Sequence, residues 1–156
     1  MARYTYETLR VQWVVTIANR AAPTAAELNA GVNLSTFVPV DGVNLGGSRN
    51  NASQAMLGDA FVAEEPGTWG TTLEITFTRD GTTDTPWDLY AGGYKTIGHI
   101  VLRRTGTGVF AAAQKLEVYP VTSHEPQMLA SAENEYSKYT VTFAITAKPE
   151  LEAAAV

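Results

Sequence analysis

Between Thr71 and Arg79 the chain alternates with a period of two. Leu73, Ile75 and Phe77 fall on one side, and Thr72, Glu74, Thr76 and Thr78 on the other. A helix would scatter both sets around its circumference, because its period is 3.6 residues. The alternation returns at Lys138 to Thr146, where Tyr139, Val141, Phe143 and Ile145 oppose Lys138, Thr140, Thr142 and Ala144. Strands that are dry on one face and wet on the other need a sheet with a core beneath it. Threonine occurs 20 times and lysine only 4 times, and a branched threonine side chain suits a pleated, half-wet surface.

Other segments extend this reading. Val11 to Ile17 is strand-like, with Val11, Trp13, Val15 and Ile17 on one face, and Trp13 is expected in the core. Val32 to Val43 is apolar but broken by Pro39, which predicts an edge or irregular strand. Ile97 to Arg104 carries apolar residues on both faces and ends at a turn, Thr105-Gly106-Thr107-Gly108. In Lys115 to Val121, Leu116 and Val118 oppose Lys115, Glu117 and Tyr119. Two helix signals interrupt the strands. Thr24 and Glu27 have capping-box spacing ahead of a left-handed stop at Gly31. Thr85 as N-cap and Pro86 at the first position start a short helix near Trp87, which anchors it, and Gly92-Gly93 end it. The sum is a mostly β fold: a β-sandwich or barrel of about six or seven strands with one short flanking α-helix.

At 156 residues the chain is expected to be a single domain, 1–156. No run approaches the ~18 apolar residues of a membrane helix. The N-terminus lacks the apolar region of a signal peptide, so secretion is not expected. The absence of cysteine excludes disulfides, thiolate zinc sites and cysteine nucleophiles. His99 and His124 have no partner at ligand spacing, and Glu64-Glu65, Glu133 and Glu135 read as solvated charges. No nucleophile elbow, P-loop or dinucleotide fingerprint occurs. We therefore expect no catalytic, metal or cofactor-binding residue. A net charge of −5 opposes wrapping by nucleic acid, which needs a basic face. Trp69, beside Gly67, Gly70 and Phe61, suits a sugar platform or a partner contact. On these features alone, an acidic β-sandwich module binding carbohydrate or protein is one reading.

Three segments stand outside the periodic pattern. Residues 1–10, with Tyr4 and Tyr6, lack a turn signal and read as an N-terminal arm. Residues 44–68 read as a long loop, turn-rich at first and then mixed, with Leu45, Met56, Leu57, Phe61 and Val62 among its apolar members. Residues 149–156 follow Pro149 as a C-terminal arm that includes Leu151 and Val156.

In order along the chain, Ala22-Pro23-Thr24-Ala25-Ala26-Glu27-Leu28-Asn29-Ala30-Gly31, the Asp41-Gly42 junction, the long loop, Lys115-Leu116-Glu117-Val118-Tyr119-Pro120-Val121 and the strand Phe143-Ala144-Ile145-Thr146 before Pro149 resemble the major tail tube proteins of long-tailed, non-contractile (siphovirus-type) bacteriophages. The resemblance implies a virion structural protein whose rings of six stack into a hollow tube for DNA ejection. It implies synthesis in the host cytoplasm, and as partners the protein itself and the tape-measure, tail-terminator and tail-tip proteins. Genomic DNA would pass without specific binding, helped by like charge on the wall. In that role Thr72, Glu74, Thr76 and Thr78 are expected to line the lumen. Leu45, Met56, Leu57, Phe61 and Val62 are expected to stack rings, and Tyr4, Tyr6, Leu151 and Val156 to act as assembly arms.

Overall fold

A computed structural model describes residues 8–53, 55–58, 60–93 and 95–156. Its elements run β1 (Arg10–Val14), α1 (Ala25–Ala30), β2 (Val32–Asn33), β3 (Val43–Ser53), β4 (Glu64–Thr78), α2 (Thr85–Tyr90), β5 (Ile97–Arg103), β6 (Lys115–Ser123), β7 (Gln127–Met128), β8 (Lys138–Ile145) and β9 (Glu150–Ala154). All pairs are antiparallel, and the main path is β2-β1-β5-β6-β8-β4-β3. Strand β6 forks near Pro120: its first half bonds β9 and its second half bonds β8. The strands beyond those expected are β3, the two-residue β7 and β9; of Val32–Val43, expected as one edge or irregular strand, only Val32–Asn33 pair, as β2, before a 3-10 turn at Ser35–Phe37.

The fork explains why β5 is apolar on both faces. Ile100 and Leu102 face one core, shared with Trp13, with Leu73, Ile75 and Phe77 of β4, and with Tyr139, Val141 and Phe143 of β8. Val101 faces a second core with Val14, Leu28, Leu116, Val118, Ala153 and Ala155. Helix α1 and strand β9 supply the cover for that second side.

The capping box of α1 is present: Glu27 N–H donates to Thr24 Oγ1 (3.2 Å) and Thr24 N–H to Glu27 Oε2 (2.9 Å). Buried Gln12 ties the helix to β1 by donating Nε2–H to Leu28 O (2.9 Å). Gly31 is extended (φ −73°, ψ 177°), not left-handed as the sequence suggests. Its glycine is required by proximity, because a Cβ there would collide with Trp13 O and the Val14 side chain.

For α2 the N-cap is Asp84, not Thr85, and the residue does more than cap. Its carboxylate accepts from Trp87 N–H (3.2 Å), Asp80 N–H (3.2 Å) and the Tyr139 hydroxyl (2.7 Å), and pairs with Arg79 (3.1 Å). Trp87, half-buried, lies between the Arg79 guanidinium at 3.9 Å and the Tyr139 ring at 5.1 Å. Tyr90 is the fully buried anchor of the helix, edge-on to Trp13 and Phe143. Asp84→Ala would strand the buried Tyr139 hydroxyl and uncap α2 together. We expect a loss of about 3 kcal/mol, read as a fall of roughly 10 °C in the melting midpoint.

Acid should also weaken the fold through β5. His99 Nδ1 is buried without a hydrogen-bond partner among the described residues. Burial holds the imidazole below its ordinary pKa; backbone hydrogen bonds at Val14 and Val15 oppose this, and the charge of Arg20 adds to it. The unfolded chain therefore takes up the proton first. Stability is full above about pH 6.5 and declines as the pH falls below it. His99→Gln should flatten denaturation midpoints measured between pH 7 and pH 5.

Two segments expected as irregular prove regular. Of residues 44–68, expected as a loop, 44–53 and 64–68 are strand and pair in a β3–β4 hairpin, and the described residues between them form its tip. Residues 149–156 are not an arm, because β9 pairs with β6 of its own chain and Ala153 and Ala155 are buried. Tyr4 and Tyr6 lie outside the described residues.

Candidate functional site

The hairpin begins inside the core and leaves it. Val43 pairs with Ile75 and Leu45 with Leu73, both half-buried against the first core. From Gly46 outward every residue of β3 is exposed, as is all of β4 from Glu64 to Gly70. The ladder continues there through Gly47–Thr71, Ser48–Gly70 and Arg49–Trp69, shifts register, and resumes from Asn51–Pro66 to Ser53–Glu64. A bare two-stranded ribbon is marginal in water. This one is supported at its root by the core and along its length by side chains. The Arg49 guanidinium lies over the Trp69 ring (5.0 Å) and donates to Gly70 O (3.2 Å), and Asn51 Nδ2–H donates to Glu64 (2.7 Å).

At the far end, Leu57 and Phe61 are 108% and 81% exposed, and Met56 and Val62 are exposed beside them. Of the five residues expected to stack rings, the fold gathers these four at the tip and leaves Leu45 at the root. Apolar side chains clustered in water at the end of a projecting ribbon mark a contact surface.

The second surface is the outer face of β4. Thr72 is exposed, and Glu74, Thr76 and Thr78 are half-buried. Glu74 lies between Asn44 of β3 and Thr142 of β8 in register, and the hydroxyls of Thr76 and Thr140 are 3.3 Å apart. From Thr72 to Thr78 of β4, and along β8, the outward residues carry one acid, Glu74, and one base, Lys138, among threonines and alanine. This face is therefore hydroxyl-rich and close to neutral, although the chain as a whole is acidic.

Leu151 and Val156 are exposed, but their backbones are engaged within the subunit, Val156 through Pro23 and Ala25. Trp69 borders a shallow cleft of about 360 Å³ with Thr71 and residues 145–149. One face of its ring is taken by Arg49. Among the described residues no three His, Asp or Glu side chains converge as a metal site would require.

The entire chain, residues 1–156, matches the model of the family described as phage tail tube protein. The chain belongs to this family. The tail tube protein is similar in fold to a chain in the cryo-EM structure of the anti-feeding prophage (AFP) baseplate, 6-fold symmetrised. The TM-score is 0.60 at 9% sequence identity, covering 96% of this chain and 93% of that one. At that identity the likeness is one of fold. No curated protein matches the sequence. The role of the tail tube protein is thus structural, as a component of the phage tail in the virion. Two features escape the sequence reading: the regularity of the hairpin, and an apolar notch at its root, signalled only by the short run Val38-Pro39-Val40.

Proposed function

We propose that this tail tube protein associates with itself into rings of six, and that stacked rings form the hollow tube through which a long-tailed, non-contractile phage ejects its DNA. The observation that carries the reading is the projecting hairpin with its apolar tip, which a free subunit leaves in water and a stacked ring would bury. The fold neighbour's place in a six-fold symmetrised assembly supports the copy number. Thr72, Glu74, Thr76 and Thr78 face the lumen, where hydroxyls and a carboxylate offer phosphates no positive charge to hold them. Leu151, Val156, Tyr4 and Tyr6 touch neighbouring subunits. The tape-measure, terminator and tip proteins meet the tube inside and at its ends, and the subunit is made in the host cytoplasm.

Negative-stain microscopy of the purified full chain tests this. Rings or tubes of one diameter are expected. A small oligomer at every concentration, binding an oligosaccharide or a protein through Trp69, would overturn it in favour of a binding module. For the lumen, Glu74→Lys should leave tails assembled and slow DNA release several-fold, most strongly at low salt, because each ring then offers phosphates a set of lysines. Release at the normal rate from intact tails would remove Glu74 from the wall.

A further inference from the structure

A mostly apolar notch of about 350 Å³ opens beside the root of the hairpin, lined by Leu9, Val11, Val38, Pro39 and Val40, with Ser35 and Thr36 as its polar members. Val40 is 68% exposed at its rim. The notch is tied to the hairpin by the backbone, since Thr76 N–H donates to Gly42 O (2.7 Å) just before β3 begins. The apolar tip is at the other end. Strand β3 has 11 residues, which at ~3.3 Å per residue sets tip and notch roughly 33 Å apart on a paired ladder that cannot double back. A tip therefore cannot fill the notch of its own chain.

We infer that the tip of one copy, through Leu57 and Phe61, seats in the notch of a second copy, head to tail. This rests on the ring-stacking reading above and names the surface that receives the hairpin. In this head-to-tail arrangement each copy that receives a tip still offers its own, whereas a reciprocal two-fold pair, each tip in the other's notch, would close at the dimer and give no higher species. The size of the patch supports a second copy in a multipoint array over an independent partner. Four tip side chains expose a few hundred Å², well below the ~1,200 Å² of a stable two-chain interface. One such contact is weak, and several engaged together by a ring are strong. Dilute subunits then stay apart, whereas rings stack.

The chain has no cysteine, so introduced thiols report the contact cleanly. In tubes of the Phe61→Cys/Val40→Cys variant, mild oxidation should move most of the protein from the monomer band into a ladder of dimers, trimers and higher species that collapses on reduction. Phe61→Cys/Val15→Cys, whose second position is exposed away from the notch, should not give this ladder. Tubes that form without the ladder, or an equal ladder from the control, overturn the inference and leave the tube reading standing. Failure of the unmodified chain to form rings or tubes overturns both. If the thiol variants do not assemble, a charge pair decides: Phe61→Lys and Val40→Asp should each block stacking and together restore it. Lack of restoration in folded protein overturns the inference.

Discussion

Leu57→Ser combined with Phe61→Ser should leave the subunit folded and abolish tubes. Both side chains lie at the tip of the hairpin, outside both cores. Their loss should move the melting midpoint by no more than about 2 °C, as for other exposed substitutions. Docking loses much more. Each large apolar side chain contributes roughly 1.5–3 kcal/mol when it leaves water, and the loss recurs at every subunit around a ring. Thermal denaturation and negative-stain microscopy of one preparation separate the two effects. Persistent tubes would show that rings are held by other surfaces, and a collapsed midpoint would show that the tip packs on its own body.

Removal of residues 150–156 should destabilise the subunit itself, which reverses what an assembly arm would do. Ala153 stands opposite Leu116 in register and both are buried. The backbone is held from two sides. Ala154 and Val156 N–H donate to Ala21 O (3.2 Å) and Pro23 O (3.0 Å), while Ala155 N–H donates to Gln114 O (3.0 Å). Without β9 the second core lies open at Leu116, Val118 and Leu28. We expect a loss on the order of 4 kcal/mol, a large share of the ~5–15 kcal/mol that holds a domain together. Denaturant titration of the truncated and full chains measures it. An unchanged midpoint, with only assembly impaired, would return the segment to the role of an arm.

The strands legible in the sequence are those whose two faces meet different surroundings. Leu73, Ile75 and Phe77 against Thr72, Glu74 and Thr76 fit only a strand, and the apolar residues on both faces of β5 are explained only by the two cores the structure shows. The outer half of the hairpin carries no such contrast. Gly46, Gly47, Ser48, Arg49, Asn50 and Asn51 are wet on both faces, so pairing with β4 alone makes them a strand, and pairing leaves no periodicity. Gly47 reads as a turn residue, yet it lies in the ladder opposite Thr71, where glycine is required because a Cβ would strike Gly70 O. The last strand was hidden for a related reason: Pro149 looked like a terminator, and alanines carry little β-propensity, so burial of Ala153 and Ala155 overrides local preference. Asp84 is not legible as the cap ahead of Thr85 because its decisive partner, Tyr139, is remote in sequence.

The position of β9 also sets when a subunit becomes competent. The segment it closes upon, residues 21–25, is synthesised more than a hundred residues ahead of it, and β6 also precedes it. The second core must then wait, half covered, until residues 150–156 have emerged from the ribosome. A nascent chain on a polysome thus carries an unfinished body even when its hairpin has already paired.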